Sequence, residues 1–130
     1  MSIDSALGIS PQVLALRAQR TEILSANIAN TDTPGYKARD IDFAQAMREA
    51  SGQQSGLRRT HERHLGAGTA GAAGDALKYR VPSQPSLDGN TVESRREHAE
   101  FMDNAVRYQA SVNLLDSRIR GLRTAIRGQL

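Results

Sequence analysis

At 130 residues the chain is long enough for one ordinary domain, but 4% aromatics, no tryptophan and 38% hydrophobic residues argue against a large compact core. A chain of this make-up gains buried surface from partners. The formal charge of +3 is carried almost wholly by arginine, with acids interspersed, so it permits an acidic partner without requiring nucleic acid. The lack of cysteine says little about compartment. No apolar run approaches the length needed to cross a bilayer, so no membrane insertion is expected. The segment from Met1 to Gly8 lacks the basic n-region and continuous apolar run of a cleaved secretory signal, and none is expected.

Ser10-Pro11 reads as a helix start, with serine as N-cap and proline at the first helical position. From there to about Asn30, Val13, Leu16, Ile23 and Asn27 form one stripe at three-four spacing, and Leu14, Thr21, Leu24 and Ile28 a second beside it. Two adjoining stripes make a face wide enough to touch more than one helix. Asn27 and Asn30 are neighbours near the end of this helix, and asparagine is a poor interior helix residue. Two readings stand open: C-terminal capping, which suits Asn30, and amide pairs that fix the register of packed helices. Thr33-Pro34-Gly35-Tyr36 then reads as a type II turn, because Pro34 presets φ and Gly35 tolerates φ > 0.

After the turn, Ile41, Phe43, Ala44 and Met47 predict a short helix, closing an N-terminal unit of residues 1–50. Residues 51–76 read as a flexible linker, with glycines at 52, 56, 66, 68, 71 and 74 and few large apolar side chains. Residues 77–93 hold an alternating Leu77-Lys-Tyr-Arg-Val81 strand, breaks at Pro82 and Pro85, and a turn at Leu87-Asp-Gly-Asn90. Ser94-Arg-Arg-Glu97 has capping-box spacing and opens a helix over 94–130. In it His98, an edge-of-core residue, begins a heptad seam continued by Phe101, Ala105, Tyr108, Val112, Leu115, Ile119, Leu122 and Ile126. Asp103–Arg107 and Asp116–Arg120 are outer i,i+4 pairs, and the terminal arginines complement the helix dipole. Such a helix would be roughly 50 Å long at ~1.5 Å per residue, more than one small core can cover. The fold expected is mainly α: an N-terminal helix packed on a long, coiled-coil-like heptad helix. A flexible glycine-rich middle and one short strand or hairpin complete it.

No convergent catalytic set is visible, and no cofactor is expected. His61-Glu-Arg-His64 has the wrong spacing for a zinc peptidase and lacks further ligands. Asp32, Asp40 and Asp42 are explained by solvation and by placement ahead of the helix at Phe43. Arg58, Arg59 and Arg63 have no aromatic stacking partners and read as a solvated loop.

Asn27-Ile-Ala-Asn30-Thr-Asp-Thr33-Pro34-Gly35-Tyr36 resembles the N-terminal signature of the bacterial flagellar axial proteins of rod, hook and hook-associated type. The resemblance extends to Lys37–Phe43, Leu87–Val92 and Ala105–Ala110 and is greatest to the short proximal rod members, covering about 80 residues. It implies a structural subunit that self-assembles and co-assembles with other rod proteins through its terminal helices, into an axial rod that transmits torque. It also implies contacts with the junction protein at the rod base and with the flagellar type III export gate. Export without a cleaved signal and residence in the periplasm-spanning rod follow. Phe43-Ala-Gln-Ala-Met47 is similar to the Phe-x-x-x-hydrophobe motif by which early flagellar subunits engage that gate, and fits ordinary packing equally. The alternative is a cytoplasmic coiled-coil adaptor binding acidic partners or nucleic acid; it has no evident need for the signature.

Overall fold

The computed structural model describes residues 6–54 and 76–128, and over these the chain is mainly helical. Helix α1 (Ser10–Ala29) is followed by strand β1 (Arg39–Ile41) and helix α2 (Phe43–Gln54). Strand β2 (Leu77–Tyr79) and the long helix α3 (Ser94–Arg127) complete the order. The two strands pair antiparallel, with Arg39 opposite Tyr79, Asp40 opposite Lys78 and Ile41 opposite Leu77. α1 and α3 run antiparallel: Asn27 meets Glu97, Arg20 meets Glu100, and Gly8 lies beside the Arg118 guanidinium.

Apolar packing is thin, as the composition requires. Leu16, Ile41, Ala46 and Ala76 form the core cluster, with Ile23, Phe43 and Met47 against it. Among the described residues, the large side chains wholly withdrawn from water are Leu24, Asn27, Glu97 and Asn104. Three of these four are polar, so hydrogen bonds and ion pairs do much of the joining between elements.

Several local expectations are corrected. Ser10 is the first residue of α1 and Ile9 occupies the cap position with no side-chain bond, so Pro11 is the second helical residue and not the first, still in the turn where its missing N–H costs nothing. Ile41 belongs to β1, and α2 starts at Phe43, with the Asp42 carboxylate ahead of it accepting the Gln45 N–H at 3.0 Å. α2 runs on to Gln54, past the boundary expected at residue 50. The capping box at Ser94–Glu97 does not form, since Glu93 is the cap and makes no side-chain cap bond. Glu97 has stronger buried donors to serve. The alternating segment forms a strand only over Leu77–Tyr79, and its partner, Arg39-Asp-Ile41, is too short to show a period of its own.

Candidate functional site: the signature turn and the helix pair

The turn forms where expected. The Tyr36 N–H donates to the Thr33 carbonyl and Gly35 has φ +72°, the conformation a type II turn demands at that position. Asn30 is the C-cap residue of α1: its amide nitrogen donates to the Ala26 carbonyl at 2.8 Å, and its oxygen accepts from the Thr33 hydroxyl at 3.1 Å. A second loop holds this turn from outside. The Asn90 amide, buried, reaches the carbonyls of Asn30, Thr31 and Thr33 at 3.0, 2.8 and 3.0 Å. The Gly35 N–H donates to the Asp88 carbonyl, the Lys37 ammonium to the Gly89 carbonyl, and the Thr91 N–H to the Tyr36 carbonyl. Asp88 shapes its own loop: the Ser86 hydroxyl and the Asn90 N–H both donate to its carboxylate and lower its pKa. The two stretches, some fifty residues apart in the chain, are one surface at the end of the helix pair. Thr33, Pro34 and Gly35 are exposed on it, and Leu87 is fully so.

Asn27 works differently from Asn30. It is fully buried, donating to the Arg39 carbonyl at 2.7 Å and to Glu97 Oε2 at 3.0 Å. Its oxygen accepts from the Arg39 N–H at 3.2 Å and the Tyr36 hydroxyl at 3.4 Å. One amide therefore fixes α1, β1 and α3 against each other. Beside it runs an ion network. Arg80 donates to Glu97 Oε1 at 2.6 Å and also to Asp40; Arg20 holds Asp40 with two bonds of 2.8 and 2.9 Å and Glu100 at 2.7 Å. Burial pushes the Asp40 carboxyl up, but the hydrogen bond and charge of Arg20, with the Ile41 N–H and Arg80, hold it below its ordinary value. The same bond to Asp40 raises the Arg20 pKa. Asp40 is thus a network member and not a merely solvated acid, whereas Asp42 caps α2 and pairs with Lys78 at 2.8 Å.

On α3 the inward line at the N-terminal half is Glu97, Phe101 and Asn104; His98 and Ala105, read as seam positions, are exposed. The cause is polar. Glu97 is drawn in by Arg80 and Asn27, and Asn104 by the Arg17 carbonyl and the Thr21 hydroxyl, each at 2.9 Å. Farther along, Val112 and Leu115 are half-buried, while Tyr108, Ile119 and Leu122 are 38%, 38% and 36% exposed and Ile126 is 85% exposed. The outer pairs Asp103–Arg107 and Asp116–Arg120 both form at 2.7 Å. On α1 Leu16 is buried and Ile23 half-buried, both facing the core. Phe43 and Met47 pack against that core, and Arg17 lies 4.6 Å over the Phe43 ring. Arg58, Arg59 and His61–His64 lie outside the described residues, as does most of the expected linker. Reading apolar spacing alone missed Glu97, Asn104, Arg20, Arg80 and Asn90. For Arg20, Glu97 and Asn104 the signal that could have found them is a polar residue on a helix face otherwise meant for the interior; Arg80 and Asn90 lie in irregular segments where no such face exists.

A helix ending in such a turn is what the family model of the flagella basal body rod protein covers, and it matches residues 14–37. Over nearly the whole length, the flagellar basal body rod protein FlgB of Cereibacter sphaeroides is 54% identical across 123 residues, 95% of this chain and 94% of that protein. FlgB of Salmonella typhimurium is 46% identical over 133 residues, covering 97% and 96%. FlgB of Escherichia coli is 45% identical over 128 residues, covering 92% and 91%. The chain belongs to the FlgB family of flagellar basal body rod proteins. Nothing in these matches supports the adaptor alternative.

Proposed function

We propose that this chain is a structural subunit of the bacterial flagellar basal body, laid down in the proximal rod. There its terminal helices pack against those of other copies and of other rod proteins, in a tubular array that transmits torque. Membership of the FlgB family supports the rod role. One observation carries the mode of assembly. The inward face of α3 continues past Arg118, where Gly8 lies, through Ile119, Leu122 and Ile126, and these stay exposed among the described residues. Nine residues at ~1.5 Å each give about 14 Å of helix whose apolar stripe is only partly covered among the described residues. A contact of unlike faces that does not close on itself builds an open helical array. Deleting the gene in a flagellated host should abolish swimming and leave basal bodies without a complete rod, both restored by the gene in trans. Normal rods in the deletion strain would reject the reading.

The finer partners belong to the same proposal: the rod-base junction protein and the flagellar export gate. Phe43 and Met47 sit on the core in the folded chain and would be read by the gate in the unfolded one. On this proposal the Phe43→Ala variant accumulates in the cytoplasm when cells are fractionated. Secretion equal to wild type would leave the pair with its packing role alone.

A further inference from the structure

The rod reading, on which this inference rests, does not say which helix faces meet between copies. α3 is apolar on two opposite sides. Ala99, Met102, Val106 and Ala110 recur at steps of three, four and four, and so lie along one line of the helix. At ~100° per residue that line is about half a turn away from Glu97 and Asn104, which face α1. All four residues are exposed, Met102 by 68% and Val106 by 70%. A solvated helix face carries charge, yet this line carries none between Arg95 and Arg120; the Asp103–Arg107 pair stands to one side. α1 presents the complement. Its outward face is made of small residues, Ala15, Ala18 and Ala29 among them, with Glu22 as its one charge.

We infer that the outward apolar line of α3 seats on the outward alanine face of α1 in a second copy of this chain. Small residues let a helix backbone approach closely, and Met102 and Val106 supply the bulk that fills the resulting groove. The charges select one alignment. The line bears only arginines at its ends and the α1 face only an acid, so Glu22 of one copy pairs with Arg95 of the next. In an antiparallel arrangement, the direction the two helices already take within the chain, that pairing brings Ala18 opposite Ala99 and Ala15 opposite Met102. Because α1 and α3 point these faces away from each other inside one chain, no single copy can make the contact itself.

The chain has no cysteine, so introduced thiols report without background. The Ala15→Cys, Met102→Cys double variant, expressed in place of wild type, should on oxidation of isolated basal bodies give a ladder of dimers and higher species of this chain. Either single variant should give no ladder, since one thiol per copy cannot link a series of copies; in the double variant Ala15 and Met102 of one copy face apart, so no disulfide closes within a copy. Monomer alone in basal bodies that contain the double variant overturns the inference, and so does a Met102→Cys disulfide to a different rod component. A charge swap tests it independently of the thiols. Glu22→Arg and Arg95→Glu should each cause a loss of motility that the two together restore, and failure of the double swap to restore it also overturns the inference. Failure of the rod reading itself looks different: the wild-type chain would be missing from purified basal bodies.

Discussion

Removing Glu97 would leave Arg80, 7% exposed at its side chain, short of one of its two carboxylates, and would strip Asn27 of an acceptor. Breaking one arm of a buried ion pair and leaving the Asn27 amide short of an acceptor each cost on the order of 1–3 kcal/mol, so Glu97→Ala should lower the urea midpoint of the purified chain more than alanine at any exposed α3 position. Replacing Glu97 and Arg80 together by leucine should cost less than Glu97→Ala alone; a larger loss would mean the pair is not coupled. Asp40 makes the network sensitive to acid. Its folded pKa lies below the ordinary carboxylate value near 3.9, so its contribution is complete above that value and is lost as the pH falls through the lower folded one. Denaturation midpoints measured from pH 5 down to pH 2 should therefore fall less steeply in Asp40→Asn than in wild type. Some slope should remain, because Asp42, Asp88 and Glu93 are depressed too. These residues were legible only in part. Spacing marks Asn27 and Asn30 as unusual, but not which one caps and which one is buried, because that depends on β1 and Glu97 arriving from elsewhere.

Elements divide into those with a local cause and those without. α1, the turn and α3 follow from periodicity, proline and glycine, and each stands close to its expected bounds. The β1–β2 pair depends on two three-residue segments meeting, which no local pattern announces. Within the helix pair, position decides the effect of a change. Leu24→Asp would put a charge into a fully buried site and unfold the chain, whereas Ile119, 38% exposed, can bear a charge in the isolated subunit. Ile119→Asp should therefore cost the purified chain only about 1–2 kcal/mol, leaving it folded, while abolishing rods and swimming. Normal rods in that variant would remove the overhanging end of α3 from the interface.

For the molecule as a whole, cover along α3 declines from Glu97, fully buried, to Ile126, 85% exposed. Hydrogen exchange should follow that gradient, because a helix segment without tertiary packing opens locally at little cost. In the purified chain, amides of residues 97–112 should exchange slowly and those of 119–127 close to the unprotected rate. In assembled basal bodies both stretches should be protected. Equal protection of both in the free chain would show that α3 is already complete without neighbours.

By itself the sequence determined the helical class, the turn at Thr33–Tyr36, the length of α3 and the shortage of core, because each depends on neighbours within a few residues or on composition. The tertiary structure alone decided which side of α3 turns inward. Apolar spacing favours His98 and Ala105, but hydrogen bonds from Arg80, Asn27, Arg17 and Thr21 turn the helix to Glu97 and Asn104. A buried acid or amide without its partner costs more than an alanine left in water, so the polar pair sets the register and the apolar residues it displaces are left facing outward.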